Sequence, residues 1–545
     1  MFSAGFARPW NAAVVVVAAV LAAPLATLIA NVFVPGGEAW RHLTETVLPD
    51  YIANSVVLVV LVGAGTGAVG VVTAWLVARF NFPGRATLEW ALLLPLAMPA
   101  YVMAYVYTDL LQFAGPVQGA LRSLFGWSAG DYWFPDIRSL GGAALLMVAV
   151  LYPYVYLLTR ATFASQAPSL TEAGRTLGLS PGQAFFRVSL PLARPAIAAG
   201  IALACMETLA DYGTVAYFGL PTFTTGILRT WMSLGEPVSA AKLSVMLLAF
   251  AAALLAAERA ARRQARFHEA ALARQRPRVQ LSRTRGWLAG LACALPVVLG
   301  FLLPAGLLAS LSLEVGDAQF GRRFAVLAAN SLTLAAITAA LAVLVALALA
   351  YGARLSRSRF AAGVNRFAML GYAVPGAVIA VGVLIPATRV DHAIASLLQG
   401  ITGLDAGLLL TGSIVALVYA YLIRFLAVAL QSIDAGLAKI TPAMEDASRS
   451  LGQGPGLTLW RVHVPLLRPS LVTAALLVFV DVMKELPATL VMRPFNFDTL
   501  AVQAFNLAAD ERLAEASTAS LAIVAVGLGP LIIASRRLVR GEAVT

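Results

Sequence analysis

The chain has 545 residues, of which 60% are hydrophobic and 12% charged, and its mean hydropathy is +0.82. Because soluble domains carry about 25% charged residues, this composition excludes a soluble protein and predicts an all-α polytopic membrane protein embedded in a lipid bilayer. The net charge of +12 would suit nucleic acid, but the basic residues lie mainly in short segments between apolar runs. We therefore expect no nucleic-acid partner.

Apolar runs long enough to cross a bilayer recur along the whole chain, since about 20 residues suffice for a helical span. Twelve candidates lie near 12–34, 53–78, 88–112, 139–160, 196–219, 240–258, 287–312, 326–351, 367–387, 407–430, 470–492 and 517–535. With the N-terminus inside, 27 of the 39 Lys and Arg residues fall on the cytoplasmic side and 10 outside. Basic residues prefer cytoplasmic loops, so we expect both termini in the cytoplasm.

A polar loop occurs twice between these runs. Residues 172–195 and 446–469 match at a constant offset of 274, with 12 of 24 positions identical. Each copy is predicted to face the cytoplasm and to form a short helix that ends at Gly178 or Gly452, where a positive φ is easiest for glycine. Pro191 and Pro195, with the matching prolines of the second copy, are expected to mark the start of the next span.

The duplication predicts two halves of six helices each. An even number of spans gives both halves the same orientation, related by a pseudo-twofold axis along the membrane normal. We expect an N-terminal half at 1–258, a basic cytoplasmic linker at 259–286 and a C-terminal half at 287–545. The linker is interpreted as a solvated hinge that fixes topology, with contact to anionic lipids as the alternative.

Four acidic residues, two in each, interrupt the fifth and eleventh spans. Those four acids would cost on the order of 10 kcal/mol if ionised against lipid, so they should face a watery cavity, pair with a cation or take up protons. One interpretation is hydrogen bonding near the outer helix ends. The other is a pathway lining that contacts a hard cation transiently, since hard cations prefer oxygen ligands. The acids are Glu207, Asp211, Asp481 and Glu485, with Tyr212 and Lys484 beside them.

A further charged residue, Arg424, stands alone in the tenth span. We expect its side chain to reach the cytoplasmic face, and a structural pair with an acid is the second interpretation. No enzyme chemistry is evident. The three lysines precede Leu, Ile and Glu, so none fits a phosphate-binding loop, and four scattered histidines and two cysteines form no metal motif.

The duplicated loop resembles the EAA loop of binding-protein-dependent ABC import permeases. The resemblance implies the type I importer fold and two coupling helices seated on two ATP-binding partner subunits, which would hold ATP and Mg, with no cofactor on this chain. The second copy has Asp446 where the motif has Glu, and the adjacent Glu445 is a candidate for the same work. The implied coupling residues are Glu172, Ala173, Arg175, Gly178, Glu445, Asp446, Ala447, Arg449 and Gly452.

The fused double-length format resembles ferric-iron permeases and, less closely, thiamine permeases. The strings ETLADYGTVAYFG, PTFTTGI, RFLAVAL and KELPATLVMRPFNFDTLA carry this resemblance. It implies a bacterial cytoplasmic membrane and a periplasmic or surface-tethered binding protein that docks near 223–237 and 497–511, segments that are interpreted on their own pattern as re-entrant or interfacial helices. The expected docking contacts are Glu236, Asp510, Glu511 and Arg512. The alternatives are thiamine or another small organic or cationic substrate, and a secondary transporter driven by an ion gradient.

Overall fold

The computed structural model describes residues 3–166, 176–263, 278–315, 321–356, 358–403 and 407–539. The elements of the first half are α1 (Ser3–Val32), α2 (Glu38–Thr46), α3 (Leu48–Arg79), β1 (Phe80–Asn81), α4 (Arg85–Ala91), α5 (Ala100–Leu111), α6 (Pro116–Phe125), α7 (Leu140–Ser165), α8 (Pro181–Ala184), α9 (Leu190–Ala210), α10 (Gly213–Tyr217), α11 (Phe223–Met232) and α12 (Pro237–Arg263).

The second half has one strand and twelve helices within the same described ranges. These are β2 (Val279–Gln280), α13 (Arg283–Val297), α14 (Leu303–Val315), α15 (Arg322–Ser356), α16 (Arg359–Ala368), α17 (Gly376–Thr402), α18 (Ile414–Leu437), α19 (Pro442–Ser450), α20 (Pro455–Thr458), α21 (Val464–Met483), α22 (Pro487–Met492), α23 (Leu500–Ala509) and α24 (Leu513–Val539). The strands pair in parallel, Phe80 with Val279, and the fold is otherwise helical because a helix satisfies its own backbone groups in lipid.

The predicted spans are confirmed in number. Eleven helices in the described ranges are long and apolar enough to cross a membrane, and a bent pair raises the number to twelve. The bent pair is the third predicted span, which is not straight. Its two parts, Arg85–Ala97 and Ala100–Phe125, meet at 93°. The break falls at Pro99, which has extended backbone (ψ 140°) and no N–H to continue the helix.

The spans that follow the duplicated loops begin earlier than the prolines predicted. Helical structure starts at Pro181 and Pro455 and passes through a π-helical turn at Phe185–Ser189 and at Leu459–His463. Pro195 lies inside α9 and Pro469 inside α21. The wider turn lets the chain stay helical up to Pro191, because the N–H of Leu190 bonds the carbonyl of Phe185, five residues back.

Contacts within the chain define two compact units that interleave the halves. The first unit comprises Met1–Leu43, Gly226–Leu248 and Gln319–Gln503, and the second comprises Thr44–Thr225, Ala249–Ala318 and Ala504–Thr545. In the first unit α15, α18 and α21 pack together, and α1 packs on α15 and α17.

The second unit repeats this arrangement with the corresponding elements. There α3, α7 and α9 pack together, and α14 packs on α5 and α24. The first span of each half therefore belongs to the unit that holds the core of the other half. The domain boundaries at 258 and 287 remain a prediction from the sequence repeat.

Candidate functional site

The duplicated loops keep the backbone that their sequences predict. Gly178 and Gly452 have φ of +85° and +77°, a conformation that costs other residues about 1–2 kcal/mol. In the second copy α19 begins at Pro442, directly after Thr441, and Gly452 lies just beyond its end. The helix predicted for the first copy would occupy 167–175, which lie outside the described residues, and so do Glu172, Ala173 and Arg175.

In the second copy Glu445, and not Asp446, is held by the rest of the protein. Its carboxylate accepts hydrogen bonds from Arg354 Nε and from Nε2 of His463, the latter at 3.1 Å. The side chain of Glu445 is 12% exposed, whereas that of Asp446 is 73% exposed and lies 3.9 Å from Arg449. Ala447 is also exposed. The structure thus separates an anchoring acid from an outward-facing surface on α19.

Three residues of this anchor escaped sequence reasoning. Arg354 near the end of α15 also donates to the carbonyls of Leu437 and Ile440, and the Tyr351 hydroxyl donates to the carbonyl of Pro455 at 2.8 Å. The Tyr351 ring lies 5.0 Å from the fully buried ring of His463. The sequence signal was weak, because a basic residue after a long apolar run is ordinarily a topology marker.

Exposed leucines mark the same position in both copies. Leu177 is 84% exposed and Leu451 is 80% exposed, and the two match at the repeat offset of 274. Each precedes the glycine with positive φ. A single exposed leucine is ordinary on a protein surface, but its exposure at equivalent places in both copies makes Leu177 and Leu451 candidates for a contact with another protein. The identity of these leucines between the copies was the signal that could have identified them.

At the other end of the spans, two of the predicted pathway acids cap short helices. The Asp211 carboxylate accepts from the Thr214 backbone N–H at 3.0 Å and its hydroxyl at 3.1 Å. At the matching place, the Glu485 carboxylate accepts from the backbone N–H groups of Ala488 and Thr489 at 3.0 and 3.1 Å. Each acid lies where a long helix breaks, and it satisfies donors that α10 or α22 would otherwise leave free.

Arg424 does not reach the cytoplasmic face, so that expectation is wrong and the second interpretation, a pair with an acid, is confirmed. Its Nη1 lies 3.5 Å from Oε1 of Glu485, and the arginine is only 8% exposed. The glycine at 376 leaves room for this pair, because a Cβ there would lie 2.6 Å from Glu485 Oε1 and 2.7 Å from Arg424 Nη1 and would displace the ends of both side chains. The arginine is paired with an acid because a buried charge without a partner strongly destabilises the fold.

The remaining two acids differ in their surroundings. Asp481 Oδ1 lies 3.4 Å from Nζ of Lys484. Glu207, at the matching position of the first half, is half-buried and forms no hydrogen bond or ion pair with any described residue. The neighbouring Tyr212 ring lies 5.8 Å from that of Phe505. No three carboxylates, histidines or cysteines converge to hold a metal ion in the described ranges.

The predicted docking residues lie at the ends of helices. Asp510, Glu511 and Arg512 are exposed between α23 and α24, where Arg512 Nε donates to Glu515 at 2.7 Å. Glu511 has a positive φ of +59° and lies 3.8 Å from Arg138. Glu236 begins the turn into α12, and its carbonyl accepts from the Ala240 N–H at 3.0 Å. The predicted outer segments 223–237 and 497–511 contain α11 and α23, and their re-entrant or interfacial position stays a prediction.

Comparison with known proteins also indicates a membrane component of a transport system. The family described as "Binding-protein-dependent transport system inner membrane component" matches residues 68–281. The chain is 26% identical over 489 residues to the Fe(3+)-transport system permease protein FbpB 2 of Haemophilus influenzae, which covers 88% of each chain. That full-length match includes both halves and supports a fused, double-length permease.

Shorter relatives match part of the chain. The molybdenum transport system permease protein ModB of Escherichia coli is 30% identical over 188 residues, 33% of this chain and 79% of ModB. The sulfate transport system permease protein CysT of Escherichia coli is 26% identical over 214 residues, 39% of this chain and 74% of CysT. With its helical spans and duplicated loop, the chain belongs to the family of binding-protein-dependent transport system inner membrane components.

Proposed function

We propose that this multi-pass membrane protein is the permease of an ATP-driven importer, with ferric iron as its cargo. Two ATP-binding subunits dock on the cytoplasmic loops around Gly178 and Gly452, and closure of those subunits tilts the two halves. ATP and Mg are held by the partners, since no phosphate-binding motif occurs in the sequence. The observation that carries this proposal is the anchored helix α19, whose Glu445 faces inward while the exposed Leu451 follows it.

The inward anchor suits a helix that transmits force. A helix that rested on the bundle through apolar contacts alone could slide when pushed, whereas charge-assisted hydrogen bonds fix geometry and are about twice as strong as neutral ones. Arg354 joins Glu445 to the end of α15. The exposed face of α19 then remains for a partner. We propose that the first copy, which contains Glu172, Ala173 and Arg175, has the same role.

Iron is favoured over molybdenum and sulfate, for whose transport ModB and CysT are named. The full-length similarity is to an Fe(3+) permease, whereas the molybdenum and sulfate permeases match 33% and 39% of this chain. The charged residues at the two helix breaks also favour a cationic cargo. Lys484 and Arg424 are each paired with an acid, and Glu207 has no cationic partner among described residues. Oxygen ligands suit a hard trivalent cation.

We place the chain in a bacterial cytoplasmic membrane with both termini inside. A periplasmic or surface-tethered binding protein would deliver the cargo to the outer side. The exposed residues Asp510, Glu511 and Arg512 are the proposed contacts on one unit, and Glu236 is the proposed contact on the other. Glu207, Asp211, Tyr212, Asp481, Lys484 and Glu485 would line the pathway, and among the described residues Glu207 has no hydrogen-bond or ion-pair partner.

The cargo is tested by stimulation of ATP hydrolysis. The permease and its ATP-binding partner are reconstituted in lipid nanodiscs, and candidate binding proteins are added empty or loaded with ferric iron, molybdate, sulfate or thiamine. We expect the ferric-loaded protein alone to raise hydrolysis above the empty-protein rate. Stimulation by a protein loaded with molybdate or sulfate would overturn the iron assignment, but the proposed importer function would still stand. Stimulation by a thiamine-loaded protein would favour an organic cation.

A further inference from the structure

A second repeat, separate from the cytoplasmic loop, lies near the predicted outer end of each half. The dipeptide Asn-Ser occurs at 54–55 near the start of α3 and at 330–331 near the start of α15. The offset here is 276, which differs from the loop offset of 274. Both serines are buried, at 5% and 3% exposure. The predicted topology places both dipeptides at the outer ends of their spans.

In each unit this dipeptide caps the outer helix. The Ser55 hydroxyl accepts from the backbone N–H of Phe223, the first residue of α11, at 3.2 Å. The Asn54 side-chain amide donates to the carbonyl of Pro221, two residues earlier, at 2.9 Å. A helix ordinarily takes its cap from its own preceding residue. Here the cap comes from another helix, so α11 is fastened to α3.

The same two bonds occur in the other unit. The Ser331 hydroxyl accepts from the N–H of Leu500, the first residue of α23, at 2.9 Å. The Asn330 amide donates to the carbonyl of Asp498, again two residues earlier, at 3.0 Å. Removing a buried acceptor leaves a backbone donor unsatisfied. The repetition of both bonds, from the same residue types, indicates that the arrangement is a feature of the fold of each half.

The inner end of α15 carries the anchor of the coupling helix. Ser331 and Arg354 belong to one continuous helix, Arg322–Ser356, and 23 residues of rise separate them by about 35 Å. At its inner end Arg354 binds Glu445 of α19. One helix therefore holds the first residue of the outer helix α23 at one end and the cytoplasmic helix α19 at the other, and Leu500, Ser331, Arg354 and Glu445 all belong to the first unit.

We propose that α15 is the mechanical link between the outer surface and the coupling helix, with Asn330, Ser331 and Arg354 as its positioning residues. This inference rests on the proposed function, because the motion that α15 transmits would begin at a docked binding protein and end at an ATP-binding subunit. A continuous helix without an internal proline moves largely as a body, so a displacement of α23 would shift Glu445. In the second unit α3 has the same outer bonds, and Arg79 at its inner end donates to Gln166 at 3.2 Å.

Hydrogen exchange in the permease alone gives a test that needs neither cargo nor ATPase. Ser331→Ala is compared with Ser331→Thr, which keeps the hydroxyl, and with Ser310→Ala, whose hydroxyl bonds only Leu307 in its own helix. We expect Ser331→Ala to accelerate exchange in Leu500–Ala509 and also in Pro442–Ser450, on the order of fivefold for one lost hydrogen bond. The other two variants should match the unmodified protein. Unchanged exchange in Pro442–Ser450 would overturn the proposal.

A double-mutant cycle then tests the link in the assembled complex. Ser331→Ala and Arg354→Lys are measured singly and together, and the readout is the ratio of stimulated to unstimulated ATP hydrolysis with whichever loaded binding protein stimulates the unmodified complex. Sites about 35 Å apart normally act independently, so their effects would multiply. We expect the double variant to match the worse single variant. Multiplying effects would contradict the link, whereas a non-ferric stimulator would contradict only the iron assignment.

Discussion

Nε2 of His463 lies 3.1 Å from Oε1 of Glu445 in α19. The imidazole is fully buried, and His463 is the last residue of the π-helical turn that leads into α21. The carboxylate also binds Arg354, so one acid ties α19 to α15 and to the start of α21. A helix held in this way cannot move without moving two spans, which is what a force-transmitting contact requires.

Removal of the Glu445 charge should uncouple the ATPase. Glu445→Gln leaves the largely buried Arg354 without its carboxylate, at a cost of about 2 kcal/mol. We expect stimulated ATP hydrolysis to fall by at least tenfold while the complex still assembles. Asp446→Asn is the comparison on the outward face of the same helix, because Asp446 is exposed and lies 3.9 Å from Arg449 and takes no part in the Glu445 anchor. Equal loss in both variants would place the coupling on α19 generally and not on the Glu445 anchor.

The positive φ of Gly452 should be required for the shape of the loop. Gly452→Ala has open space around the new Cβ, so its cost comes from backbone strain alone, about 1 kcal/mol. We expect roughly fivefold weaker stimulation of hydrolysis. Gly454→Ala is the control, because Gly454 has an ordinary φ of −71° and similar open space. If both variants retain full stimulation, the loop backbone does not contribute to coupling.

The Leu451 side chain should bind the partner subunit. Leu451→Ser removes an apolar side chain that is 80% exposed in the isolated permease, so the fold should keep its stability. Burial of a leucine at an interface contributes about 2 kcal/mol, and we expect the partner to bind roughly thirtyfold more weakly. Association is measured between detergent-solubilised subunits. Leu457→Ser, at a residue that is 43% exposed, is the control, and unchanged association of Leu451→Ser would exclude this contact.

The Arg424–Glu485 pair should be structural. Gly376→Ala places a methyl group against both charged groups, so we expect thermal unfolding at a temperature several degrees lower in detergent, equivalent to about 2 kcal/mol. Gly363→Ala is the control, since its Cβ meets open space and alanine favours a helix by about 1 kcal/mol. A Gly376→Ala protein of unchanged stability would mean that the pair rearranges at little cost.

Glu207 should matter more for cargo than Asp481. Glu207→Gln removes an acid that has no partner among described residues, whereas Asp481→Asn removes one that already faces Lys484 at 3.4 Å. We expect iron uptake into vesicles to fall severalfold for Glu207→Gln and less for Asp481→Asn, with both proteins assembled normally. The reverse order, or normal uptake in the double variant, would make these acids structural.

The sequence was sufficient to predict the features that depend on local composition. Hydropathy located the spans because each must bury about 20 apolar residues. The glycines of the duplicated loop marked positive φ, because few other residues adopt it. The Asn-Ser dipeptides, by contrast, look like ordinary polar residues at a helix start until the structure shows α11 and α23 against them.

Long-range pairings could not be predicted from the sequence. Nothing in the apolar run predicts that Arg424 finds Glu485, which is 61 residues away, or that α1 packs with the core of the other half. The break at Pro99 and the π-helical turns depend on neighbouring helices that replace lost backbone bonds. Packing between uniformly apolar helices has no periodicity that a sequence pattern could report.

Transport by the reconstituted complex tests the central claim most directly. The permease, its ATP-binding partner and a ferric-loaded binding protein are placed in proteoliposomes, and radiolabelled iron uptake is measured with and without ATP and with an uncoupler of the proton gradient. We predict uptake that requires ATP and the partner, survives the uncoupler and is lost in Glu445→Gln. Accumulation by the permease alone, or uptake that stops with the proton gradient while ATP remains, would contradict it.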